Sequence, residues 1–216
     1  MRILFINPNA TASMTDKIAA AAKLAAGAGT EILALTNHDG PASIQGEADG
    51  EAAVPGLLKL IADNEAEADA FVIACFDDTG LARARTLTRK PVYGIGEAAM
   101  REAAQLGRFS VVTTLAVSIP VIAANVLAYG FAETCARVRA SDVAVLDLEE
   151  DGSAAREKVA AEIARALHED RPNAIVLGCA GMADLADTYA RRFGLPVLDG
   201  VVAAVRLAER QYGAGD

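Results

Sequence analysis

The chain has 216 residues, 53% of them hydrophobic, and its mean hydropathy is positive, which excludes a disordered chain and implies one large folded domain or two small ones. A formal net charge of −9 without a basic stripe argues against a nucleic-acid surface. No apolar run reaches the ~18 residues that a membrane span needs.

The opening run, 2–6, reads as a buried strand that enters the turn Asn7-Pro8-Asn9, with Thr11 or Ser13 available to cap a helix over 14–26. It carries no signal-peptide pattern, so a cytoplasmic protein is expected. A strand at 31–35 leads into a Gly/Pro/Ser-containing loop, 37–51, long enough to cover a site. A helix follows over 52–65, then a strand, 70–74, that stops at Cys75. Helix 81–90, a short strand at 92–93 opened by Pro91, and helix 95–106 complete this stretch. The pattern then resumes with strand 109–112, which ends on Thr113 and Thr114, and helix 119–127. A strand at 143–146 and a helix at 154–169 come next, and strand 174–177 runs into Gly178 and Cys179. Helix 182–193, strand 197–198 after Pro196, and helix 201–210 close the chain. Such alternation marks an α/β fold with a mostly parallel sheet.

An internal repeat runs through these elements. Ala70-Phe71-Val72-Ile73-Ala74-Cys75 aligns with Ala174-Ile175-Val176-Leu177-Gly178-Cys179 at an offset of 104, and Pro91-Val92 with Pro196-Val197 at 105. So long a period is no solenoid unit; it implies two copies of one α/β half-domain. Residues 1–96 form the first half, with the C-terminal helix region 201–216 available to complete it, and 97–200 form the second. The expected architecture is α/β, two pseudo-symmetric half-domains, each a mostly parallel sheet flanked by helices, with an active site in the cleft between them. Ligands of open parallel sheets lie at the carboxyl ends of the strands, and Cys75 and Cys179 both fall there.

A single cysteine at the end of an apolar strand is ordinarily a small buried hydrophobe; a matched pair facing one cleft argues for chemistry. At a helix start the dipole and unpaired N–H groups favour a thiolate. A thiolate on one side of a carbon and a thiol on the other can remove a proton and return one from the opposite face, inverting the carbon without metal or organic cofactor. The carbanion needs donors at its neighbouring carbonyl. The backbone around Phe76–Asp77 and Ala180–Gly181 can supply them, and the side chains of Asn9, Thr113 and Thr114 can add contacts. Asp77 and Asp78 oppose a thiolate, unless one turns away to cap the following helix. Cys135 has no counterpart in the repeat and reads as structural. His38 and His168 stand at no ligand spacing from a cysteine, so no metal is expected.

Asn7-Pro8-Asn9-Ala10-Thr11 with Met14-Thr15, Cys75-Phe76-Asp77-Asp78-Thr79-Gly80-Leu81, and Leu177-Gly178-Cys179-Ala180-Gly181-Met182 together resemble the aspartate/glutamate/hydantoin racemase superfamily. Ser43-Ile44 and Ser118-Ile119-Pro120 fit as well, and the likeness runs to about Arg206. The resemblance implies a cofactor-independent two-base mechanism with Cys75 and Cys179 as the catalytic pair. It also implies substrate contacts from Asn9, Phe76, Asp77, Thr113, Thr114, Ala180 and Gly181, and a homo-oligomer. Racemases of free aspartate or glutamate follow the first cysteine with Asn-Thr and the second with Thr-His. Phe76-Asp77 and Ala180-Gly181 instead resemble the hydantoin/allantoin branch, whose substrates are neutral ureido rings. Thr79 departs from that branch, which carries Pro there, and Gln45 stands where it often has Glu. The expected partner is a small molecule, a hydantoin, allantoin or amino acid, with no nucleic acid and no membrane. The alternatives are an aspartate/glutamate-type racemase, a maleate isomerase-like enzyme and, outside enzymes, a non-catalytic small-metabolite-binding protein. An arylmalonate decarboxylase-like enzyme would keep only one of the two cysteines.

Overall fold

A computed structural model describes residues 1–148 and 153–213. In chain order the elements are β1 (Arg2–Asn7), α1 (Ala12–Ala25), β2 (Glu31–Thr36), α2 (Glu47–Asp63), β3 (Ala70–Ile73), α3 (Leu81–Leu87), β4 (Val92–Gly94), α4 (Ile95–Leu106), β5 (Phe109–Thr113), α5 (Ile119–Ala128), β6 (Cys135–Ala140), α6 (Ser153–Glu169), β7 (Ala174–Gly178), α7 (Ala186–Phe193), β8 (Val197–Asp199) and α8 (Gly200–Gly213). Short 3₁₀ turns lie at Ala116–Ser118, Val145–Leu148 and Ala180–Leu185. None of the described helices is long and apolar enough to cross a membrane.

The strands form two four-stranded parallel sheets with the orders β2-β1-β3-β4 and β6-β5-β7-β8. One winding is used twice. In each sheet the chain steps outward from its first strand and then returns to that strand's other side, so the winding reverses between β1 and β3 and between β5 and β7. Such a reversal opens a crevice at the strands' carboxyl ends.

The central strands are buried on both faces, which is why they read as continuous aliphatic runs. Ile3, Phe5, Val72, Phe109, Val111 and Val176 point into one shared core between the sheets, joined by α4 and α8. Leu4, Ile6, Phe71 and Ile73 face outward under α2 and α3, and Val112, Ile175 and Leu177 face outward under α6 and α7. Fully burying each such side chain stabilises the fold by about 1.5–3 kcal/mol. The alanines of α4 and α8 let these helices lie close within the shared core.

The strand expected at 143–146 is instead β6, Cys135–Ala140, and the Val143–Leu146 run enters the 3₁₀ turn Val145–Leu148. Two things disguise β6. Its sequence, Cys-Ala-Arg-Val-Arg-Ala, alternates apolar and charged residues and lacks the continuous aliphatic run of the central strands. Asp142, with φ of 54°, then bends the chain so that the apolar run beyond it cannot continue the sheet. β6 nonetheless keeps the repeat, since 135 − 31 = 104 and 140 − 36 = 104 relative to β2. Arg139 is buried because α6 and its end bring Glu162, Glu169 and Asp170 to it. α2 also begins earlier than the expected 52, at Glu47, where Glu47 and Asp49 suit the positive end of the helix dipole.

Neither Asp77 nor Asp78 caps the helix that follows it. Asp78 reaches instead to α4, its Oδ1 accepting from Gly96 N at 2.9 Å and its Oδ2 from Glu97 N at 2.8 Å. A Cβ at Gly94 would collide with that carboxylate, so glycine is required at the close approach. In the second sheet the equivalent residue, 94 + 105 = 199, is itself the cap: Asp199 Oδ1 accepts from Val201 N and Val202 N, both at 2.9 Å.

Candidate active site

The carboxyl ends of β1, β3, β5 and β7, the four strands at the two reversals, surround one cavity of about 380 Å³ including its mouth. From β1 comes Asn9. Asn7 holds the turn, accepting from Asn9 N at 3.2 Å and donating through Nδ2 to Asn9 Oδ1 at 3.0 Å. Asn9 Oδ1 also accepts from Thr11 N at 2.9 Å, and its Nδ2 donates to Met14 Sδ at 3.5 Å. Thr11 is not a side-chain cap for α1; its hydroxyl donates to Ala42 O at 2.7 Å and ties down the loop over the site. From β5 come Thr113 and Thr114, both buried. Thr113 donates to Gly178 O of β7 at 2.8 Å, which leaves its oxygen able to accept from a ligand.

Cys75 and Cys179 follow β3 and β7 and line the cavity together with Phe76, Asp77 and Ala180. Of the residues expected at the site, Gly181 alone stays off the cavity wall; it lies behind Cys179, against Leu148. The cavity is also lined by Met14, Ile44, Ser118 and Val145. Ile44 is an apolar residue inside a polar loop, which is the signal that could have placed it here. Val145 carries no such signal, because its run imitates a strand. Two other hollows hold no thiol: one lies between α1, α7 and α8, and a neighbouring one shares only Asp77 with the site.

The surroundings of the two cysteines differ. Cys179 precedes the 3₁₀ turn Ala180–Leu185 directly. Cys75 has no such start beside it, for α3 begins only at Leu81, so the expected helix-dipole assistance is missing there. Burial pushes the Cys75 thiol well above its ordinary range, and the Asp77 carboxylate adds to the rise. Charge on Cys179 acts in the same direction, while the Thr79 hydroxyl and the Asp77 N–H oppose it. Asp77 is itself raised to about 7, by burial. Its carbonyl accepts from Asn125 Nδ2 at 2.9 Å. Asp77→Asn is therefore expected to speed alkylation of Cys75 by iodoacetamide several-fold at mildly alkaline pH, because a nearby negative charge that disfavours the thiolate is gone. Peptide mass spectrometry reads the rate at Cys75 alone; an unchanged rate would mean that the carboxylate does not act on this sulfur.

Among the described residues, no lysine, arginine or histidine lines the cavity. No cluster of three or more His, Cys, Asp or Glu suited to a metal occurs among the described residues. The arrangement offers two sulfurs, backbone N–H groups and neutral hydroxyl and amide side chains around a small space.

Comparison with known proteins gives consistent matches. Residues 3–208 match the family model described as Asp/Glu/Hydantoin racemase. A hydantoin racemase of Rhizobium meliloti is 49% identical across the whole chain and 90% of its own length. One from Pseudomonas sp. (strain NS671) is 45% identical over 97% of the chain and 85% of its own. The solved structure of allantoin racemase from Klebsiella pneumoniae superposes with a TM-score of 0.96 at 44% identity, covering the whole chain and 89% of that protein.

Proposed function

The chain belongs to the Asp/Glu/hydantoin racemase family, and on that premise we propose that this isomerase racemises 5-substituted hydantoins or allantoin by proton transfer between Cys75 and Cys179. The observation that carries this is the pair of thiols, delivered by equivalent strands of two sheets to one cavity. The substrate's C–H carbon lies between the sulfurs. One thiolate takes the proton, the other thiol delivers one to the opposite face, and the two cysteines end with their protonation states exchanged. Charge that develops on the adjoining ring carbonyl is met by N–H groups around Asp77 and Ala180, with Asn9, Thr113 and Thr114 holding the ring's own amide groups. Each cysteine is the base toward one enantiomer and the acid toward the other.

A neutral ring suits this cavity better than a free amino acid. An α-carboxylate would meet no cationic side chain among the described residues of the wall, and Asp77 would repel it. We read residues 1–96, completed by α8, as one half of the enzyme and 97–200 as the other, acting as a cytoplasmic homo-oligomer. In support of α8 completing the first half, it packs on α1, and Glu209 Oε1 accepts from Gly27 N at 2.8 Å.

Polarimetry on the purified protein, without added cofactor, tests the assignment with enantiopure 5-substituted hydantoins, allantoin, L-aspartate and L-glutamate. Loss of rotation with a ring substrate and with neither amino acid is expected. Activity on an amino acid alone would keep two-thiol chemistry and overturn the ring substrate.

A further inference from the structure

Thr79 takes no part in the proton transfer just described, and it stands where the resemblance to the hydantoin/allantoin branch implies proline. It is buried, 7% exposed. It also sits in a sharply constrained turn: Asp78 before it has φ of 50° and Gly80 after it φ of 71°, both left-handed. The turn is pinned from two sides. Asp78 is bonded to the start of α4, and Tyr129 OH donates to Asp78 Oδ2 at 2.8 Å. Gly50 of α2 backs Thr79 closely enough that an added Cβ would make ordinary contact with it at 3.8 Å. Held in this way, the side chain of residue 79 folds back over residue 75, and its Oγ1 lies 3.5 Å from Cys75 Sγ.

We propose that Thr79 is a positioning residue for racemisation, its hydroxyl donating to the Cys75 sulfur and keeping the thiolate form of that cysteine within reach of the reaction. This rests on the reading of Cys75 as one of the two acid/base groups. A thiol is a weak acceptor, whereas a thiolate accepts a charge-assisted bond, so a donor fixed beside the sulfur favours the ionised form. Burial, the Asp77 carboxylate and the charge on Cys179 all work the other way. The Asp77 N–H acts with Thr79. Proline at this position would have no hydroxyl to give. In the second copy of the repeat, 79 + 104 = 183 is Ala183, which has none either. The Thr79 hydroxyl therefore acts on Cys75, whose thiol burial pushes up.

The test uses the full-length protein carrying Cys179→Ser, in which the rate of iodoacetamide alkylation at Cys75 is followed against pH by peptide mass spectrometry. Thr79→Val removes the hydroxyl at constant shape, and Thr79→Ser keeps it. Thr79→Val is expected to slow alkylation about threefold at mildly alkaline pH. A roughly tenfold loss of thiolate is partly offset by the greater nucleophilicity of a more basic sulfur. Thr79→Ser should stay within about twofold of Thr79. With Cys179 restored, Thr79→Val is expected to lower kcat/KM about tenfold. The loss must be equal for both enantiomers, because a racemisation has an equilibrium constant of unity, and it should fall on kcat more than on KM.

Equal alkylation rates for Thr79 and Thr79→Val would overturn the hydrogen bond itself. Equal slowing by Ser and Val would show packing at work in place of the hydroxyl. Slower alkylation with unchanged turnover would overturn the proposal from the other side, by detaching Cys75 from the reaction. Circular dichroism and thermal melting confirm that each variant is folded, and Thr79→Ala is the second hydroxyl-free variant if Thr79→Val does not fold.

Discussion

Cys75→Ser and Cys179→Ser are each expected to reduce racemisation by about a thousandfold or more, because a serine hydroxyl is too weak an acid and too poorly ionised to replace either thiol. Neither loss should be complete inactivity toward the C–H bond. With one thiol left, a proton can be taken from and returned to the same face, so each variant should exchange the ring hydrogen of one enantiomer with deuterium from solvent while hardly inverting it. Opposite enantiomers should exchange in the two variants if each cysteine serves one face of the substrate, as their placement after equivalent strands of different sheets suits. Combining the substitutions should cost little beyond the worse single one, as expected of groups that act as a unit. Chiral chromatography of products and proton NMR in heavy water measure the two quantities together. Near-normal racemisation in either single variant would end the two-thiol assignment. Exchange of the same enantiomer by both variants would place the two sulfurs on one face of the substrate.

Arg139→Met is expected to destabilise the fold by about 3–5 kcal/mol without a comparable loss in kcat. The guanidinium is 7% exposed and serves three carboxylates: Glu162, Glu169 at 2.8 Å and Asp170 at 3.1 Å. Methionine fills the space and supplies no charge. Glu162 and Asp170, with side chains 4% and 2% exposed, would stay buried with only the more exposed Arg165 and Arg137 to answer them. Ser110, which donates to Asp170 at 2.9 Å, cannot replace a cation. Arg139→Lys should recover only part of the loss, because an ammonium cannot bond all three acids in the fork geometry that arginine provides. Urea unfolding at neutral pH measures both variants. A cost below about 1 kcal/mol would mean that water enters the cluster and solvates the orphaned acids.

That arginine also explains the main gap between sequence and fold. Strands buried on both faces, such as Phe71-Val72-Ile73, announce themselves as aliphatic runs, and the offset that repeats Cys75 at Cys179 predicts a doubled sheet. β6 hides because it is a half-buried edge strand whose one buried arginine, Arg139, makes sense only once the acids of α6 are beside it, and no local window contains those acids. Val145 fails for the opposite reason: its neighbourhood looks like a strand, yet the chain turns at Asp142 and uses it to close the cavity. At the site, the strand ends place Asn9, Cys75, Thr113, Thr114 and Cys179 together without help from side-chain detail. The electrostatic setting of Cys75 is less visible. It depends on the length of the loop before α3, and on Asp78 bonding to α4 rather than to its own helix.

The two helix caps described above have a consequence for how the two copies of the repeat can change. The first copy carries Asp at 78 and Gly at 94; the second carries Met at 182 and Asp at 199. Each solution satisfies its helix, and each is incompatible with half of the other. An aspartate placed at 94 would run into the one at 78, and removing Asp78 first would strand the N–H groups of Gly96 and Glu97. Passing from one arrangement to the other takes two substitutions, and either one made first costs stability, about 0.5–2 kcal/mol where a cap is lost. Exchanging segments between the copies would succeed only if loop and helix start moved together. Each copy of the repeat is thus committed to its own way of holding the start of the equivalent helix, α4 or α8.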